Sequence, residues 1–217
     1  MNIDYIFTDE KLLHQALTHG SCAEQQDGLT FNNQRLEFLG DAILGAVIAD
    51  LLYAMYPAEQ EGDLARRYAA LVCGDRLADV ADQIELGDAL RLSNSEENAD
   101  GRENRSNLED GCEALIGAIY LDGGMKAATA FIHQHWKALA ESVTEPPKDP
   151  KTALQEWAQA RHLPLPEYRM VSEAGPAHDP EFTMSVEVLG YPPVEAAAKT
   201  KKMAAREAAD ILLKQLP

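Results

Sequence analysis

The spacing of hydrophobic positions changes once along the chain. Before residue 140, apolar residues recur every three or four positions, the period of helices with one buried face. This predicts helices over 9–18, opened by a capping Asp9 or Thr8 and carrying Leu12, Leu13, Ala16 and Leu17, over 62–73 (GDLARRYAALVC) and over 75–84. The run QRLEFLGDAILGAVIADLL, residues 34–52, is apolar nearly all round and reads as the central helix of a bundle. A further helix over 108–121 stops at Gly123-Gly124, and another follows over 126–143. Residues 92–107 (LSNSEENADGRENRSN) are polar and aperiodic and read as a loop.

TEPPKDP, residues 144–150, carries three prolines and cannot continue a helix. Beyond it the texture changes. A helix over 152–161 precedes strand-like runs over 168–173, 182–189 and 194–198, and FTMSVEVL alternates as a half-buried strand should. An amphipathic helix over 201–216 closes the chain. The expectation is a helical bundle over 1–143, a linker over 144–150 and a small α+β domain of α-β-β-β-α order over 151–217.

Charge sharpens this division. The net charge of the chain is −17, which speaks against a protein that coats nucleic acid wholesale. Residues 1–144 hold 10 Lys and Arg against 25 Asp and Glu, a net of −15; residues 145–217 hold 9 against 11, a net of −2. Two modules with different tasks are implied. Cys22, Cys73 and Cys112 are odd in number and scattered, without C-x-x-C, so neither a disulfide framework nor a zinc site is expected. The opening MNIDYIFTDEKLL has no basic stretch leading into an apolar one. The best candidate for a membrane span, 42–53, is short and broken by Asp50, against roughly 18 apolar residues needed. The expectation is a cytoplasmic protein with reduced thiols and no membrane partner.

Within the apolar run, Glu37 and Asp41 are four residues apart and share a helix face. A second acidic pair, Asp110 and Glu113, begins the other strongly apolar helix, whose Gly111, Ala114, Gly117 and Ala118 allow close packing. If the two helices face each other, four carboxylates converge. An oxygen-only set suits Mg²⁺ or Mn²⁺ rather than Zn²⁺. Such ions beside a phosphodiester support its hydrolysis by generating a nucleophile and stabilising the departing oxygen. By spacing alone, an acidic pair is usually a solvated face or a partner for Arg35. A di-iron bundle requires Glu-x-x-His, and no His stands three residues after these acids. Cys112 reads as packed, His133 and His135 as pointing apart, and His14 and His19 as surface or capping residues. In the C-terminal module, Lys199, Lys201, Lys202 and Arg206 stand where a strand hands over to a helix, a place where phosphates can be met. Gln155 lies on its first helix and His178 in the loop before its central strand. This order of elements can span successive grooves of duplex RNA, about 16 bp.

Together these segments resemble bacterial ribonuclease III over nearly the whole chain. QRLEFLGDAIL is similar to the family signature, LLHQALTHGS to its N-terminal helix and turn, and EDGCEALIGAIYLDGG to its second acidic motif. TALQEWAQ, GPAHDPEF and KTKKMAAREAA resemble the three regions of its double-stranded-RNA-binding domain. The resemblance implies a dimeric, all-helical endonuclease domain with a Mg²⁺ site at Glu37, Asp41, Asp110 and Glu113, in which Asp41 and Glu113 are catalytic and Glu113 is the most critical acid. It implies Phe38 in the dimer interface and Gln155, His178, Lys199, Lys201 and Lys202 on RNA. It further implies cleavage of duplex regions in ribosomal-RNA precursors and some messengers, leaving 5′-phosphate, 3′-hydroxyl and two-nucleotide 3′ overhangs. Two positions depart from the pattern. Gln34, an auxiliary position, replaces a common Glu, and Glu109 stands where a small residue is usual. A double-stranded-RNA-binding regulator without cleavage is the competing reading, against which all four carboxylates weigh. A helical metalloprotein for small phosphorylated substrates is a third, against which the C-terminal module weighs.

Overall fold

The structure is a computed structural model that describes residues 1–22, 24–26, 29–143, 146, 149–176 and 180–216, with the backbone alone at 24–26, 29 and 30. The chain divides into two compact units, Met1–Pro147 and Lys148–Pro217.

In the first unit, α1 (Glu10–Ala16) is capped by Asp9, whose carboxylate accepts from the Lys11 N–H at 2.9 Å. A short antiparallel hairpin follows, β1 (Glu24–Gln26) and β2 (Leu29–Phe31), which the hydrophobic pattern did not predict. Then come α2 (Gln34–Met55), α3 (Glu61–Leu71), α4 (Gly74–Gln83), α5 (Leu86–Ala89), α6 (Asn94–Glu97) and α7 (Arg105–Ser142). The polar stretch read as a loop over 92–107 thus contains the short α6, capped by the Ser93 hydroxyl at the Glu96 N–H. The α7 span is two helical segments broken at Gly124, whose φ of 71° lies in the left-handed region where a Cβ is strained.

By length and composition α2 and α7 could each cross a bilayer. Here they form the core instead. Leu44, Ile48 and Leu52 of α2 are fully enclosed with Leu115, Ile116, Ile119, Ile132 and Trp136 of α7. The buried Trp136 indole donates to the Leu71 carbonyl at 2.9 Å, tying α7 to the end of α3.

The two long helices cross through glycines. A Cβ on Gly40 would lie 1.7 Å from the Glu113 carbonyl oxygen, and one on Gly117 would lie 2.3 Å from that of Leu36. The backbones therefore touch where side chains would hold them apart.

The second unit runs α8 (Pro150–Ala160), β3 (Glu167–Ala174), β4 (Glu181–Glu187), β5 (Val194–Ala198) and α9 (Lys201–Gln215). Pro150, assigned to the linker by composition, opens α8, where its missing N–H costs nothing; the Asp149 carboxylate caps the turn. The strands form one antiparallel sheet in the order β3-β4-β5, with a register shift between Met170 and Ser172. Leu154 and Ala158 of α8 and Ala208, Ala209 and Leu212 of α9 pack with Val186 and Val188 in its core.

Candidate metal centre and nucleic-acid surface

The glycine crossing sets the geometry of the carboxylates. Glu37 and Asp41 flank Gly40 on α2; Asp110 and Glu113 precede Gly117 on α7, and Glu113 backs directly onto Gly40. Each pair consequently feels the other. Burial, and then Asp41, Glu109, Glu37 and Asp110 in that order, push the Glu113 carboxyl up to about 8. Glu37 is raised by burial, Asp110 and Glu109. Asp110 is raised by burial, and His19 offsets this in part.

Glu109 belongs to the same field. Its carboxylate rests against Gly74 at the start of α4, where a Cβ would come within 2.3 Å of Oε2. Burial, Asp110, Asp75 and Asp41 raise it. It is half-buried and turned toward α4. Among the described residues none of the five acids is in an ion pair, although arginine–carboxylate pairs are formed elsewhere in the unit, such as Arg67–Glu59 and Arg102–Glu97. Arg35, a possible partner by sequence, is exposed and forms no ion pair among the described residues.

Crowded carboxylates of this kind are relieved by protonation or by a cation. An all-oxygen donor set fits a hard divalent ion. Among the described residues no three His, Cys, Asp or Glu side chains already stand in an arrangement that could hold one. The acids share a field without being closed on a common point.

Around the rim, the turn Thr18–His19–Gly20–Ser21 is fastened to the segment after α5. Thr18 bridges to Arg91, the His19 N–H donates to the Arg91 carbonyl at 3.1 Å, and the Ser93 N–H donates to Ser21 Oγ at 3.0 Å. His19 precedes the 3-10 turn Gly20–Cys22 and caps it, its Nδ1 accepting from the Ser21 N–H at 3.2 Å and its carbonyl from the Cys22 N–H at 2.9 Å, as the reading of it as a surface or capping residue expects; its influence also reaches Asp110. Nothing in its sequence spacing signalled this. Gln34, the first residue of α2, touches this turn: a Cβ on Gly20 would lie 3.5 Å from its Nε2. Phe38, between the two acids of α2, is 81% exposed. Farther along α2, an apolar groove of about 590 Å³ is lined by Leu52, Tyr53, Leu64, Ala65 and Tyr68. Cys112 is buried, and its surroundings push its thiol upward, so it is a packed residue as expected.

In the second unit, Lys199 follows β5, and Lys201 and Lys202 open α9. Thr200 caps that helix by accepting from the Met203 N–H at 3.1 Å, and the first turn holds no acid. Lys201 extends over the Phe182 ring, 5.2 Å from its centroid. Lysines at this end oppose the helix dipole, an arrangement that an incoming anion relieves. Gln155 is exposed on α8. His178 lies outside the described residues.

A helical unit with facing acidic pairs, joined to an α-β-β-β-α unit with lysines at a helix start, defines a nucleic-acid-processing protein. Comparison with known proteins narrows this. A family profile described as Ribonuclease-III-like matches residues 9–139, and one described as Double-stranded RNA binding motif matches residues 150–216. Ribonuclease 3 of Wolbachia pipientis subsp. Culex pipiens (strain wPip) is 47% identical over 215 residues, 99% of this chain and 94% of its own. That of Ehrlichia canis (strain Jake) is 46% identical over 214 residues, again 99% and 94%. A solved nuclease domain of ribonuclease III from Campylobacter jejuni superposes with a TM-score of 0.56 at 40% identity, covering 61% of this chain and 92% of that one. The chain belongs to the ribonuclease III family and is a double-stranded-RNA endoribonuclease of that type.

Proposed function

We propose that the protein cuts duplex RNA in a Mg²⁺-dependent reaction, with Glu37, Asp41, Asp110 and Glu113 as the residues that would hold the ion. The observation that carries this is the backbone contact of Gly40 with Glu113, which gathers four acids that no ion pair neutralises among the described residues. Bound there, a divalent cation would supply a nucleophile from water and stabilise charge on the departing 3′-oxygen. Glu113, raised most among these acids, is the group that gains most from exchanging its proton for a cation. Asp41 adds charge to the same field. The products would carry 5′-phosphate and 3′-hydroxyl ends.

Two copies would act together, each cutting one strand to leave two-nucleotide 3′ overhangs. The exposure of Phe38 beside the acids supports a contact between copies there. Lys199, Lys201 and Lys202, with Gln155 and His178, would hold the duplex by phosphate and ribose. Cytoplasmic ribosomal-RNA precursors and some messengers are the proposed substrates. The test is incubation with perfect RNA duplex in Mg²⁺ and in EDTA. Cleavage in Mg²⁺ alone is expected, and Glu113→Gln should abolish it while leaving binding intact. Tight binding of a duplex that stays whole in Mg²⁺ would support the binding-only regulator instead.

A further inference from the structure

Two side chains at the rim of the acidic site have their polarity set by backbone N–H groups, which can only donate. The Ser21 N–H points at His19 Nδ1, 3.2 Å away. Nδ1 is therefore an acceptor, and the ring proton resides on Nε2. Ser21 Oγ, which accepts from the Ser93 N–H, lies 2.9 Å from the same Nδ1 and holds the ring in place. Independently, the Gln34 N–H donates to Asn32 Oδ1 at 3.2 Å. That fixes the Asn32 amide, so Asn32 Nδ2 is the donor to Gln34 Oε1 at 3.1 Å, and Gln34 is left with Nε2 to offer. Among the described residues, nothing accepts from His19 Nε2 or from Gln34 Nε2.

The segments that carry the two donors touch. Gly20, adjacent to His19, packs against the Gln34 amide. His19 acts electrostatically on Asp110, and Gln34 occupies the same α2 face as Glu37 and Asp41, three and seven residues earlier. A phosphodiester approaching five acids is repelled, and uncommitted N–H groups at the edge of that field answer its non-bridging oxygens. Glu in place of Gln34 could also accept from Asn32 but would have no proton to offer outward.

Resting on the nuclease reading above, we infer that His19 Nε2–H and Gln34 Nε2–H form a substrate-gripping edge that hydrogen-bonds a backbone phosphate of the RNA strand at the acidic site. His19 is the stronger member, because three hydrogen bonds across two segments hold its ring and its serine.

The test compares the full-length protein with His19→Ala, His19→Gln and Gln34→Leu. At saturating duplex RNA in Mg²⁺, His19→Ala should slow single-turnover cleavage about 100- to 1,000-fold, the range for losing one donor to developing charge. His19→Gln, which can restore an N–H, should recover part of the loss. Gln34→Leu should slow cleavage about 3- to 10-fold, the worth of a neutral hydrogen bond. Duplex affinity in EDTA and the melting temperature should stay at wild-type values, because the lysines of the second unit grip the RNA there. In ¹⁵N NMR the His19 ring should be protonated on Nε2, a readout independent of activity. Wild-type cleavage by His19→Ala, no recovery in His19→Gln, or a ring protonated on Nδ1 would each overturn the inference alone. A wild-type protein that leaves the duplex whole would overturn the nuclease reading, and this inference with it.

Discussion

Gly40 lies against the main chain of Glu113 so closely that a single added methyl would stand 1.7 Å from the carbonyl oxygen. The acid raised most in the site is thus positioned through its backbone by a residue with no side chain. Gly40→Ala must part α2 from α7 and with them the two acidic pairs. The expected loss is about 3 kcal/mol of stability, at the upper end for overpacking, together with cleavage. Urea denaturation and duplex cleavage at a temperature where the variant stays folded check the two effects separately. A Gly40→Ala protein of wild-type stability would show that the crossing is loose.

The carboxylate field gives a pH dependence with a definite sign. Without a cation, folding raises Glu113 from an ordinary 4.5 to about 8. Between those values the folded protein holds a proton that the unfolded chain releases, so stability falls as pH rises through the window. Melting temperatures in EDTA should decline from pH 5 to about pH 8, and Glu113→Gln should flatten the decline. Glu109→Ala, which removes one of the charges acting on Glu113, should lessen it. Added Mg²⁺ should raise the melting temperature most at the alkaline end. A flat profile in EDTA would mean that neither burial nor the neighbouring acids raise Glu113.

Lys201 and Lys202 stand at the start of α9, where the helix dipole disfavours them and favours an anion. Replacing both with Ala should weaken duplex binding and reduce the slope of log affinity against log salt by about 2, one unit for each phosphate that is no longer neutralised. Cleavage at saturating RNA should be retained. Binding measured from about 50 to 200 mM salt decides this; an unchanged slope would remove these lysines from the RNA surface.

Asp122 gathers the N-terminal segment onto α7. Its carboxylate accepts from Tyr5 Oη at 2.6 Å and from the Thr8 and Asp9 N–H groups at 2.9 Å each. These bonds hold its carboxyl below the usual range. The contribution is therefore present above the ordinary carboxylate range and is lost as pH falls through the lowered value. In Asp122→Ala the amides of Thr8 and Asp9 should exchange with deuterium about fivefold faster, while those of Leu115 and Ile116 stay protected. Equal exchange at Thr8 and Asp9 would show that the segment is held by its apolar neighbours alone.

The long-range part of the site could be read from residue types: two greasy helices, each with an acidic pair at its start and small residues beside it, bring the acids together if they cross at those small residues. The interruption of α7 was equally open, because paired glycines at 123 and 124 mark a stop. The hairpin escapes the hydrophobic pattern because three-residue strands show no usable alternation, although Asp27-Gly28 is a strong two-residue turn signal. Composition misplaces Pro150 because a proline that ends one helix and a proline that begins the next look alike. The roles of His19, Ser21 and Ser93 were hidden for another reason. They are joined by hydrogen bonds across 72 positions of sequence, and no local pattern encodes such a partnership.

The hairpin has a practical consequence. The Asn33 N–H closes onto the Thr18 carbonyl at 2.8 Å, so the chain leaves the bundle after Thr18 and returns to it before α2 through a fastened neck. His19 and Ser21 are moored separately to Arg91 and Ser93. A hairpin held at its base in this way can carry a fluorophore or an affinity tag without pulling on either mooring.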